Sequence, residues 1–410
     1  MKVNQLFALA VIASCGAFTS FAQTWMQTGA PTNNSWLGIT SSADGQQLIA
    51  AGNAIFISTN YGLTWIEATE APTNGNWGGV ACSASGTILA GADFYSGIWL
   101  SHDSGASWNI QNLPTSGGWS AVAMSKDGNL IIAARVFAEA AGSFPPPPGL
   151  IYTSSDSGST WLTNSLPAQN WWCTASSADG CVIVAAAHIY NFTYSKFGYS
   201  LSTLPGPFFT STNYGSTWFT NNTPLEMWSL INCSADGRQW LAGTTTGLIY
   251  CSTNYGVVWN SNSPAFETNS CNGVSVSADG TKWLAAYSDG KIFFSTNQGV
   301  VWIEETSPTG NWVDITMSAD ENRWAGIGGN NIYTTYSTPN PNLNLGHNTN
   351  SAILSWTIPS TNFVLQQSSD LSTTNWSVVT NPPVLNLTNL QDQVTLPAPA
   401  ASGFYRLKTP

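Results

Sequence analysis

The sequence predicts an all-β protein, a seven-bladed β-propeller closed by its own N-terminal strand and followed by a small β-sandwich. Three observations predict this. An eight-residue pattern ending in Trp recurs six times, at residues 58–65, 101–108, 154–161, 211–218, 252–259 and 295–302. A second element, Ser-Ala-Asp-Gly or a close variant, recurs seven times, beginning at Ser42, Ser83, Ser125, Ser177, Ser234, Ser277 and Ser318. The two alternate, with 41 to 57 residues from one Trp-ending pattern to the next, which is room for four short strands and their turns.

Each Trp-ending copy has the chemistry of a hairpin turn. Its third position is Asn60, Asp103, Asp156, Asn213, Asn254 or Asn297, whose side-chain oxygen can accept from the backbone of a tight turn. Two residues on stands Gly62, Gly105, Gly158, Gly215, Gly256 or Gly299, as a turn requiring positive φ needs. Four of the six key positions are Asn, so the site needs an acceptor and not a charge, which argues against metal binding there. Asp-Gly between apolar runs is likewise a hairpin signal. A unit then reads as an inner strand such as 77–82, a second near 87–91, a third near 98–101 and a fourth from Trp108. Inner strands rich in small residues, such as Gly78, Gly79 and Ala81, suit sheets converging on an axis.

The ends of the array complement each other. Thr24-Trp25 resembles the end of a unit with nothing before it, and the last unit, 312–336, stops after its third strand. A strand at 24–28 is therefore expected to pair with 331–336 and complete the seventh blade, leaving no open edge. From about Ser337 a Pro/Asn-rich linker begins. Alternating runs at 352–358, 363–367, 376–379, 384–387, 393–396 and 404–407 then read as the sandwich. The expected domains are 1–22 signal peptide, 23–339 propeller, and 340–410 linker and sandwich.

Lys2, the apolar run 6–13 and Ser20-Phe21-Ala22 before Gln23 have the layout of a secretory signal peptide. Residues 12–15 offer a rival reading, lipid anchoring through Cys15. The protein is expected to be exported, without a membrane span, and monomeric. Six cysteines would remain after cleavage. Cys82 and Cys233 occupy the same slot in units two and five, which favours buried thiols over disulfides. Net charge is −11 with only 10 Lys and Arg, so there is no basic stripe for nucleic acid. His102, His188 and His347 are scattered, so no metal site is expected, nor any cofactor.

The Trp-ending pattern, S-x-D-x-G-x-T-W, resembles the Asp-box (BNR-type) repeat of sialidase-type propellers, photosystem II assembly-factor propellers, the sortilin ectodomain and xyloglucanase-type glycoside hydrolases. The resemblance implies a propeller first and a function only weakly. Likeness to the sialidases would imply three converging arginines, but Arg238 and Arg323 follow Ser-Ala-Asp-Gly turns, Arg406 is in the tail, and only Arg135 is placed for the opposite face. Likeness to the assembly factors implies a single propeller that binds another protein. The C-terminal module is similar to β modules appended to some exported bacterial proteins, which implies carbohydrate binding or sorting on one reading and a passive stabilising appendage on the other.

Function is expected opposite the repeated turns, on the loops between second and third strands. The serine-to-serine distance across that loop is 16 to 18 residues in most units but 29 in unit three and 34 in unit four. These insertions hold Phe137, Phe144, Tyr190, Phe192, Tyr194, Phe197 and Tyr199. Trp36, Trp77, Trp119, Trp171, Trp228 and Trp312 each begin an inner strand and would ring the channel mouth. The ligand-binding candidates are thus Trp77, Trp119, Trp171, Trp228, Tyr190, Phe192 and Tyr194, either as a platform for sugar rings or peptide or as packing. The leading reading is an exported, non-catalytic recognition propeller for a glycan or an extracytoplasmic protein. The alternative is a polysaccharide hydrolase, which needs two carboxylates. Asp93 resembles in place an acidic residue of the xyloglucanase-type enzymes, with Glu139, Glu226, Asp289 and Asp314 as possible partners.

Overall fold

The computed structural model describes residues 10–11, 24–114, 117–137, 147–164, 166–167, 169–195, 198–264, 269–308, 310–319, 321–336, 343–347, 351–357, 364–369, 376–386, 391–397 and 403–408. The chain forms two compact units, Ala22–Tyr336 as one and Met1–Phe21 with Ser337–Pro410 as the other. Among the described residues there is no helix.

Among the described residues the larger unit holds seven antiparallel sheets, and in the first six the four main strands run in sequence order from inside out. Their inner strands are Gly38–Ser41, Trp77–Cys82, Trp119–Met124, Asn170–Ser176, Trp228–Cys233, Cys271–Val276 and Trp312–Met317. Each lies against the next in that order, and Trp312–Met317 lies against Gly38–Ser41. The sheet of the last inner strand takes its outer member from the start of the chain: Thr24–Gln27 pairs with Asn331–Tyr336, Thr24 opposite Tyr336 and Gln27 opposite Tyr333. Trp25 then packs on Trp312 and Trp324, with ring centroids 5.2 and 6.3 Å away.

Side chains explain both repeated turns. In the first Trp-ending copy Ser58 Oγ donates to Asn60 Oδ1 and accepts from the Gly62 N–H, while Asn60 Oδ1 accepts from the Thr64 N–H at 2.9 Å. The turn needs positive φ at two successive residues: the glycine and the residue before it, Tyr61, Ser104, Ser157, Tyr214, Tyr255 or Gln298. That second demand is not written in the residue types, because these side chains carry a cost there that surrounding bonds offset. The N–H of Tyr61 donates to Gln46 O, and those of Tyr214 and Tyr255 to Cys181 O and Arg238 O, so both repeated turns share one end of each sheet.

The alanine of Ser-Ala-Asp-Gly has a task of its own. Ala43 N donates to Ala84 O, Ala84 to Lys126, Lys126 to Ala178, Ala178 to Ala235, Ala235 to Ala278, and Ala319 to Ala43. This belt links neighbouring sheets by backbone bonds, which explains why the alanine slot can hold Lys126. At the glycine slot φ is 69° for Gly45 and near that value in the others, yet the seventh copy places Glu321 there with φ 65°. A left-handed non-glycine costs about 1–2 kcal/mol, and the ion pair with Lys282 returns at most about 1 kcal/mol. Glu321→Gly is therefore expected to raise unfolding free energy by roughly 0.5–1 kcal/mol, read as a higher denaturant midpoint at unchanged slope; a lower midpoint would show that the ion pair outweighs the strain.

Among the described residues the smaller unit has two sheets. One contains Asn344–His347, Ser351–Thr357, Gln391–Pro397 and Val384–Asn386; the other contains Phe404–Lys408, Val364–Ser368 and Ser377–Val378, with Ala10–Val11 added in parallel at Phe404. Leu354, Trp356, Leu365, Val394 and Tyr405 form its core. Asn344–His347 corrects the expectation of a linker there: it pairs with Ser351–Thr357.

Candidate functional site

Residues of these inner strands line a cavity of about 730 Å³. Each strand from the second sheet onward carries a β-bulge directly after its first core residue, between Trp77 and Gly79, Trp119 and Ala121, Trp171 and Cys173, Trp228 and Leu230, Cys271 and Gly273, and Trp312 and Asp314. A bulge turns one residue out of register and re-aims it. The re-aimed residues are Gly78, Ser120, Trp172, Ser229, Asn272 and Val313, and with Leu37 they line the cavity at the end away from the repeated turns.

Several of these side chains tie one sheet to the next. Ser120 Oγ donates to Trp171 O at 2.8 Å, Ser229 Oγ to Cys271 O, and Asn272 Nδ2 to Trp312 O at 2.9 Å. In the fourth sheet an indole holds the position, and the task passes to His188, whose Nε2 donates to Trp228 O at 3.0 Å. Burial pushes the His188 pKa down, opposed by that hydrogen bond, so the ring is neutral and carries its proton on Nε2. Trp172 stacks on it with centroids 4.9 Å apart and planes 23° from parallel, and remains 40% exposed. Trp172 is the site residue sequence reasoning missed. Its signal was the Trp171-Trp172 pair, since the corresponding second residue in the other units is small, polar or aliphatic.

The ring of first-position tryptophans is a correction. Trp77, Trp119, Trp171, Trp228 and Trp312 are fully buried, wedged between sheets, so they present no face to a ligand. Tyr190 is half-buried against Phe137 at 5.3 Å, which joins the insertions of units three and four. Phe192 and Tyr194 lie in the strand Ile183–Ser195, opposite Leu201 and Tyr199, and their side chains are outside the described residues. The insertion of unit four is a β-hairpin and not the loop expected from its length.

The carboxylate candidates separate. Asp93 is a second correction: it is buried and accepts from Asn76 N at 2.7 Å and from both the N–H and the hydroxyl of Ser96, so it staples the turn between its strands. Glu226 accepts from the Tyr250 hydroxyl at 2.9 Å, and Asp289 is exposed beside Lys291 and Asn269. Glu139 lies outside the described residues. Among the described residues Asp314 alone of Asp and Glu lines the cavity. It accepts from Ile39 N at 2.9 Å, in the first sheet, and from Ile315 N at 2.8 Å, and burial outweighs those bonds and pushes its pKa up to about 7. Arg135 is buried, donating to Gly117 O and packing over Trp119. Among the described residues no group of His, Cys, Asp or Glu could hold a metal, and the six cysteines are free thiols. Burial raises Cys82, Cys173 and Cys271 to about 12, which makes them packing groups and not nucleophiles.

The fold is that of a β-propeller. It is similar to YCF48 from Cyanidioschyzon merolae, with a TM-score of 0.56 at 14% identity over 76% of this chain and 98% of that one. It is also similar to the Cps50 (Swd1) β-propeller domain of Myceliophteria thermophila, with a TM-score of 0.58 at 11% identity over 77% and 100%. A third similar structure, YCF48 bound to a D1 peptide, has a TM-score of 0.57 at 17% identity over 79% and 99%. No protein-family model and no curated relative matches the sequence.

Proposed function

We propose that the chain is an exported, non-catalytic recognition protein whose seven sheets form one ring closed by the N-terminal strand. In this reading it binds an extracytoplasmic protein or a glycan on the face carrying the insertions of units three and four. The carrying observation is Trp172, an exposed indole on the rim of the cavity, held flat by a neutral buried histidine. A ring fixed this way can stack on a ligand with little loss of side-chain entropy. The comparison with a propeller solved with a bound peptide supports a protein ligand. Among the described residues one carboxylate, Asp314, lines the cavity, where hydrolysis needs two flanking carboxyl groups.

Peptide and glycan arrays probed with the purified chain test the reading, together with a polysaccharide hydrolysis screen. Trp172→Ala is expected to weaken a hit about tenfold while leaving thermal stability near that of the parent. Release of reducing sugar would sink the non-catalytic reading. Export is checked by the mass of the mature chain, expected to begin at Gln23.

A further inference from the structure

The belt that joins neighbouring sheets carries one residue it does not require. Six of its seven positions are alanine, Ala43, Ala84, Ala178, Ala235, Ala278 and Ala319, and the seventh is Lys126. The bond made there is main-chain, from Lys126 N to Ala178 O, so the belt gives no reason for a lysine. The Lys126 side chain is exposed and lines the cavity. Among the described residues Lys282 and Lys291 of the larger unit are paired with Glu321 and Asp289, whereas no carboxylate pairs with Lys126. Burial raises the thiols of Cys82 and Cys233 and Lys126 draws both down, so its ammonium lies near the second sheet and the fifth at once.

The cavity is polar on one side at that end. The penultimate residues of six inner strands line it at one level: Ala81, Ala123 and Ala175 from the second, third and fourth sheets, and Asn232, Thr316 and Thr40 from the fifth, seventh and first. The alanines leave room. Among the described residues the hydroxyls of Thr40 and Thr316 make no hydrogen bond, and Asn232 accepts from Val276 N at 3.3 Å through Oδ1 while its side-chain N–H groups have no acceptor. Such donors beside a cation suit a ligand rich in oxygen acceptors. Asp314 is nearer the other end and is engaged by Ile39 N and Ile315 N. Asp44, Asp127, Asp179 and Asp236 are exposed on the face of the repeated turns, each accepting from the serine of its own turn. Lys126 offsets one negative charge, and the field of these carboxylates opposes any more.

We propose that this end of the cavity takes a free hydroxylated monocarboxylic acid, its carboxylate on Lys126 Nζ and its hydroxyl groups on Thr40, Asn232 and Thr316. A carboxylate drawn partly out of water needs a paired cation, and a charge-assisted bond from the ammonium supplies it. The neutral donors then select a hydroxylated body over an aliphatic one, because an aliphatic body would leave them unpaired. The site is at the opposite end of the cavity from Trp172 and goes beyond the recognition reading.

Calorimetry on the purified chain with gluconate and glucuronate tests the site. At least one of the two is expected to bind with a dissociation constant below about 5 mM. Glucose, which lacks the carboxylate, and acetate, which lacks the hydroxyls, should bind at least about tenfold more weakly. Lys126→Ala gives the belt its usual residue, so it is expected to melt with the parent and to lose at least about tenfold in affinity. Lys126→Gln keeps most of the side chain without the charge and decides the matter if the alanine variant is misfolded. Thr316→Val should weaken gluconate about threefold or more, and Trp172→Ala should leave it unchanged. Binding of neither acid in that range would overturn the proposal, as would equal affinity in the parent and the Lys126 variants, or loss in Trp172→Ala alone. Tighter binding of inorganic phosphate or citrate would overturn the single charge. Binding of oligogalacturonate with none of the free acids would overturn the free ligand in favour of an acidic polysaccharide.

Discussion

Trp228→Ala is expected to lower unfolding free energy by about 4–5 kcal/mol, enough to leave the larger unit partly unfolded at 37 °C. The indole is fully buried. It stacks on Phe208 with centroids 3.9 Å apart, meets Tyr250 edge-on at 5.4 Å, and donates from Nε1 to Gly206 O at 2.8 Å. Truncation removes the transfer energy of a large ring, leaves a cavity between the fourth and fifth sheets and strands a carbonyl acceptor. Trp228→Phe keeps most of the volume and is expected to lose about half as much. Chemical denaturation followed by fluorescence and circular dichroism measures both. The same pair separates the two readings of the first-position tryptophans: a ligand platform would lose binding at nearly unchanged stability, and a wedge loses stability.

The second large effect is in the pH dependence. Asp314 is buried at the junction of the seventh and first sheets, and burial pushes its carboxyl up to about 7 from the ordinary aspartate value of 3.8. Because the folded value is the higher one, the native state holds the proton more tightly than the unfolded chain. Its contribution is fully present below about pH 4 and is lost as pH rises through about 7. For a shift of about three units that loss amounts to about 4 kcal/mol, so the unfolding midpoint should fall between pH 4.5 and 8. Asp103, Asp127, Asp156 and Asp279 work in the opposite direction. Hydrogen bonds from turn residues hold their carboxyls below the usual range, so their contribution is lost only on acidification below about pH 4. The windows do not overlap. Asp314→Asn keeps an acceptor for Ile39 N and removes the charge, so it should flatten the profile and be the more stable protein at pH 8. A variant that keeps the parent slope would show that another group is responsible.

Much of the fold was legible because its signals are local. A serine, an Asx residue and a glycine at fixed spacing encode each turn through bonds spanning four residues, as in Ser58, Asn60 and Gly62. The complementary ends of the array pointed to the pairing of 24–27 with 331–336, since each lacked what the other held. The site was less legible. Trp171 and Trp172 are adjacent and chemically identical, yet one is fully buried and the other exposed, because a bulge lies between Trp171 and Cys173. Asp93 carried a catalytic expectation from its place in a loop, while its bonds to Asn76 and Ser96 make it a staple.

By itself the sequence determined the repeat, the turn chemistry, the alternation of strands and the position of the two insertions, because each depends on neighbours a few residues away. Only the tertiary structure decided which aromatic faces solvent, that the insertion of unit four is a hairpin, and that Asp314 lines the cavity. Those outcomes depend on groups brought together from distant sheets, such as Asp314 with Ile39 and His188 with Trp228. Burial and hydrogen-bond partners across such distances are set by packing, which residue spacing does not encode.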